Sequence, residues 1–83
     1  MKVQLLVSSW SPSCQRARQV WRELADEEQF TLDVMDVAQK EGEALIGRLK
    51  LTTIPALLID DKLIAIGVQS KEEARSIVNA ARH

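Results

Sequence analysis

Val3-Gln4-Leu5-Leu6-Val7 is a short apolar run with no polar alternation. Such runs suit a central strand covered on both faces. A helix is expected to follow from Pro12, because Ala17, Val20, Trp21, Leu24 and Ala25 recur at i, i+3, i+4, i+7 and i+8. Those positions share one helical face. The opposite face carries Arg16, Arg18, Arg22, Glu23 and Glu27. Ser11 reads as the N-cap and Pro12 as the first helical residue, where its missing N–H costs nothing.

Phe30 to Val37 alternates Phe30, Leu32 and Val34 against Thr31 and Asp33, which predicts a second strand. Lys40 to Leu51 is a weaker helix: Leu45, Ile46 and Leu49 give it a stripe, and Gly42 and Gly47 count against it. Thr52-Thr53-Ile54-Pro55 breaks that helix. Ala56 to Ile59, the Asp60-Asp61 turn and Leu63 to Ile66 form a β-hairpin ended by Gly67. Ser70-Lys71-Glu72-Glu73 is a capping box for a last helix, which is expected to bury Ala74, Ile77, Val78 and Ala81. The order βαβ, helix, β-hairpin, helix implies a right-handed parallel crossover. The hairpin extends that sheet antiparallel. The expected fold class is α/β, a mixed four-stranded sheet in the order 2-1-3-4 with three helices on both faces.

Eighty-three residues predict a single domain, 1–83. A chain of this length buries little more than about 60 % of its unfolded surface, so its core must be well packed. A net charge of -1 argues against nucleic-acid and membrane-surface roles, which need a basic stripe. Met1-Lys2 leads directly into a strand-like run that Ser8 and Ser9 break, too short for a signal-peptide core, so a cytoplasmic protein is expected. No resident cofactor is called for. No cluster of Cys, His or carboxylates has metal-ligand spacing, and His83 stands alone at the terminus, so no catalytic or metal role is expected of it. The single cysteine, Cys14, rules out an internal disulfide and leaves only mixed or intermolecular ones.

Two local motifs carry a resemblance. Trp10-Ser11-Pro12-Ser13-Cys14, at a strand-to-helix junction, is similar to Trp-Cys-x-x-Cys of thioredoxins and Cys-Pro-x-Cys of glutaredoxins. Thr53-Ile54-Pro55, before the hairpin, is similar to the Thr-Val-Pro of glutaredoxins, whose proline is cis. With the element order, these make the whole chain resemble the thioredoxin/glutaredoxin superfamily, and the resemblance implies a thioredoxin-like fold. It further implies thiol–disulfide exchange and electron transfer in cell redox homeostasis. Ser11 and Cys14 then fall at the catalytic positions. Trp10, Pro12, Thr53, Ile54, Pro55 and Gly67 flank a groove for an extended peptide from a protein partner.

The departures from the family pattern are chemical. Ser11 replaces the attacking cysteine, and Leu5 stands where thioredoxins carry a buried acid. A serine hydroxyl does not ionise near neutrality and cannot enter thiol–disulfide exchange, so the dithiol cycle is closed. Ser11 then reads as an N-cap, or as a hydroxyl that hydrogen-bonds a bound thiol. Cys14 reads as a shielded structural residue or as the seat of single-thiol chemistry. Trp21 reads as core. Two rival functions stand beside a disabled redox enzyme. One is a non-redox peptide-binding module using the Trp10/Pro55 groove. The other binds glutathione through Ser11 and Ser70.

Overall fold

A computed structural model describes residues 1–9 and 11–82. The strands are β1 (Val3–Val7), β2 (Leu32–Asp36), β3 (Ala56–Ile59) and β4 (Lys62–Ile66), and the helices are α1 (Pro12–Glu28), α2 (Lys40–Leu49) and α3 (Lys71–Arg82). The sheet order is β2-β1-β3-β4. β1 runs parallel to β2 and antiparallel to β3, and β3 runs antiparallel to β4. This is the mixed sheet of the thioredoxin-like fold, with three helices.

β1 is buried along its full length because both faces of the sheet are covered. On one face Val3, Leu5, Val7, Leu57 and Ile59 pack with Cys14, Ala17, Trp21 and Leu24 of α1 and with Ala74 and Val78 of α3. On the other, Leu6, Ala56 and Leu58 pack under Leu45 and Leu49 of α2. Gln4 is enclosed on β1 with only 4 % exposure. Its Nε2 lies 3.3 Å from Met35 Sδ, and its Oε1 is buried with no partner. No helix is long and apolar enough to cross a membrane, among the described residues.

The element ends differ from the sequence expectation for identifiable reasons. β2 starts at Leu32 and not at Phe30, because Gln29 takes a left-handed conformation and Phe30 N–H bonds back to Ala25 O, at 3.2 Å. That closure consumes Phe30 in ending α1. α2 ends at Leu49 in the same way: Lys50 is left-handed and Leu51 N–H donates to Ile46 O. Asp60 and Asp61 both have positive φ, 50° and 67°, the signature of a two-residue type I′ hairpin, and β4 therefore begins at Lys62. Ala81, expected in the core, is exposed. It borders an open cleft with Met1, Phe30 and Arg82.

Gly42 holds its place by contact. A Cβ there would lie 2.3 Å from Asp36 O, so α2 sits on the end of β2 at a distance that only glycine allows. In an ordinary helix interior Gly→Ala gains about 1 kcal/mol. Here Gly42→Ala is expected to reverse that sign and cost about 1–3 kcal/mol through backbone displacement, read as a lowered urea midpoint. A gain in stability would show that α2 can move off β2 freely.

α1 and α3 are joined at the surface by Glu27, which pairs with Lys71 at 2.6 Å and Arg75 at 3.1 Å. The hydrogen bond and charge of Lys71 hold the Glu27 carboxyl below its usual range. The Ser70 backbone and hydroxyl do the same for Glu73. Both acids lose a proton more readily folded than unfolded. Their contribution to stability is therefore present above the ordinary carboxylate pKa of 4.5 and lost as pH falls through it and below. Glu27→Gln is expected to flatten the acid limb of the stability–pH curve. An unchanged limb would show that these surface pairs contribute nothing measurable.

Candidate functional site

The sheet brings the two motifs to one end of the molecule. Leu6 of β1 pairs with Ala56 of β3, so the exit of β1 lies beside the entry of β3. α1 starts just beyond the first and Pro55 stands just before the second. Gly67, at the end of β4, donates its N–H to Pro55 O at 2.8 Å. Ser11, Pro12, Cys14, Thr53, Ile54, Pro55 and Gly67 thus share one end of the sheet. Trp10 and His83 lie outside the described residues.

Ser11 occupies the N-cap position with extended backbone, φ -99° and ψ 124°, and its carbonyl accepts the Gln15 N–H at 3.2 Å. Its side chain makes no capping hydrogen bond, contrary to the expectation that it would. Instead its hydroxyl shares a 2.8 Å hydrogen bond with the Ser13 hydroxyl. Two hydroxyls two residues apart satisfy each other, and Pro12 removes one of the N–H groups that a helix start leaves unpaired. Ser13 therefore belongs to the site, and its lack of any motif role hid it in the sequence.

Cys14 is 1 % exposed and sits in the core with Leu5, Val7, Ala17 and Trp21. Its Sγ accepts the Ser8 N–H at 3.3 Å. Ile54 packs on the same core cluster. Thr53 is exposed, and the Pro55 ring is fully buried beside a cis Ile54–Pro55 bond. Gly67 has φ +89°, a conformation that costs any side chain dearly, so this position fixes the turn out of β4.

Ser70 performs a different task from holding a ligand. Its hydroxyl accepts the Glu73 N–H at 3.1 Å and its own N–H donates to Glu73 Oε1 at 3.0 Å. This is the capping box of α3 in full. Both hydroxyls of the glutathione reading, Ser11 and Ser70, are thus engaged internally. A second unforeseen residue is Gln69. Trp21 Nε1 donates to Gln69 Oε1 at 3.3 Å, and Gln69 Nε2 reaches Ile66 O at 3.4 Å. A buried indole needs an acceptor, and this one fastens α1 to the loop that follows β4. The partners are 48 residues apart, so local pattern carried no sign of the pair.

A family model for the thioredoxin domain matches residues 1–79. No curated protein matches the chain. Among solved structures, a mutant thioredoxin from Halobacterium salinarum NRC-1 is 20 % identical, with a TM-score of 0.75 over 94 % of this chain and 71 % of that one. Thioredoxin 1 from Thermosipho africanus TCF52B is 15 % identical, with a TM-score of 0.67 over 99 % of this chain and 91 % of that one. The oxidised thioredoxin of Plasmodium falciparum is 12 % identical, with a TM-score of 0.69 over 98 % and 80 %. At these identities the likeness is one of fold.

Proposed function

Because the chain belongs to the thioredoxin-domain family, we propose that it serves thiol–disulfide redox homeostasis as a member whose dithiol cycle is closed at Ser11. It engages an extended segment of a protein partner at the end of the sheet that holds Pro12, Thr53, Ile54, Pro55 and Gly67, with Trp10 expected to take part. It does not turn over the partner's disulfides by itself. The observation that carries this reading is the state of Cys14: a single thiol, 1 % exposed and placed one turn inside α1, where a resolving and not an attacking sulfur belongs. Exchange needs a thiolate in line with a disulfide, and a sulfur sealed in the core has no such approach. The burial also supports the second reading, a peptide-binding module with no redox task.

Two peptides separate these readings. They have one extended sequence and differ only in a central cysteine or serine. Preference for the cysteine peptide, lost in Ser11→Ala, is expected if the site still recognises a thiol. Equal affinities that survive Cys14→Ala would make the chain a binding module. Acceleration of insulin reduction by the chain as written, with dithiothreitol as reductant, would overturn the closed dithiol cycle.

A further inference from the structure

β2 is one edge of the sheet: among the described residues it pairs only with β1. An edge strand presents unpaired N–H and C=O groups, and proteins usually blunt it with lysine, proline or a bulge. β4, at the other edge, has both Lys62 and a bulge opposite Leu57/Leu58. β2, Leu-Asp-Val-Met-Asp, has none of the three. Above it, on the α1 side, lies a cleft, and a second cleft lies nearer the start of α1. The first, of about 410 Å³, is floored by the half-buried Phe30, Leu32 and Val34 and walled by Arg22 and Asp26. The second, of about 220 Å³, is lined by Ser9, Cys14 and Arg18 and by no residue of β2.

The charges along α1 run against its own dipole. Arg16 and Arg18 stand in its N-terminal half and Arg22 just past its middle, and Glu23, Asp26, Glu27 and Glu28 follow toward its C-terminus. A helix dipole disfavours that order. Among the described residues none of the three arginines has an ion-pair partner, and Arg18 Nε is buried with no hydrogen-bond partner. Arg18 and Arg22 are four apart and so share one helix face, and each lines one of the two clefts. Asp33 is exposed on the other side of the strand.

We propose that the free edge of β2 is a docking surface for an extended acidic peptide of a partner protein, added to the sheet as a fifth strand. Successive side chains of such a strand point to opposite faces. Its acidic residues lie at alternate positions, on the α1 side, against Arg18 and Arg22. The intervening residues face Asp33 and are neutral. Main-chain pairing supplies the common part of the affinity and the arginines select the sequence. The β2 edge is separate from the Ser11–Pro55 end, which only the second cleft touches, through Cys14, and docking there does not depend on the function proposed for that end.

The probe is a labelled heptapeptide of alternating threonine and glutamate, with a threonine–lysine peptide as control. Saturable binding is expected for the glutamate peptide alone, weakened by salt. Arg18→Gln with Arg22→Gln should weaken it at least tenfold. Amide shifts on binding should centre on residues 32–36. If the double variant melts early, the exposed Arg22→Gln alone makes the comparison. No saturable binding, equal binding of the lysine peptide, or shifts centred on Pro55 or on 62–66 would overturn the proposal.

Discussion

Ser11→Cys is expected to give a protein that forms an intramolecular disulfide with Cys14 and reduces insulin when dithiothreitol supplies electrons, whereas the chain as written does neither. Position 11 is the N-cap of α1 and position 14 lies three residues on. An N-cap side chain leans over the first turn toward the third helical residue. A disulfide asks for Cβ atoms about 3.5–4.5 Å apart, a separation that a helix cap followed by a first turn can provide. Pro12 already presets the turn. Position 11 is half-buried and position 14 buried, so the new sulfur would be the accessible one and Cys14 the one behind it. The helix end favours a thiolate at the cap. The substitution also removes the Ser11–Ser13 hydroxyl pair, which frees the cap from its internal bond. Mass spectrometry of the oxidised variant reads the disulfide, and insulin turbidity reads the activity. If neither appears, the site is not a disabled redox centre, and the peptide-binding module takes first place.

The large elements were legible because each carries a periodicity tied to burial. The stripe of Ala17, Trp21 and Leu24 is buried against the sheet, and the uniform apolar run of β1 matches a strand enclosed on both sides. Turn chemistry was legible too, since Asp60-Asp61 and Ser70–Glu73 do locally what their residue types favour. What stayed hidden depends on partners distant in sequence or on exact clearance. Gly42 looked like a weakness of α2, and its use is visible only once Asp36 O lies against it. The later start of β2 after Gln29 and the end of α2 at Lys50 were missed because neither residue is glycine, which normally marks a left-handed cap. At the site, the motif residues gave the location and the cap position of Ser11. The sequence did not show that its hydroxyl would turn to Ser13, because competing short-range hydrogen bonds are decided by rotamers and not by spacing.

Cys14 is expected to react with a bulky thiol reagent at least about a thousandfold more slowly in the native protein than in denaturant. Cys14 is 1 % exposed, the Ser8 N–H donates to its sulfur, and Trp21 and Ala17 lie on its own helix face. A reagent too large for the cleft must wait for an opening of the structure. If that opening is global, the native rate scales with the folded/unfolded ratio, which for small domains is on the order of 10³–10⁸. Native and denatured rates, followed with a chromogenic disulfide reagent, measure the ratio directly. The dependence of the native rate on urea tells local from global opening: a steep rise means global unfolding, and a flat one means a fluctuation of the Ser8–Pro12 loop. Weakening the fastening of that core should shift the ratio. Gln69→Ala leaves the buried Trp21 indole N–H without its acceptor, a loss of about 1–3 kcal/mol, and should raise the native rate by about 5- to 150-fold if opening is global. Equal rates in the two states would show an exposed thiol. Cys14 would then be an available nucleophile, and single-thiol exchange at this site would displace the closed-cycle reading.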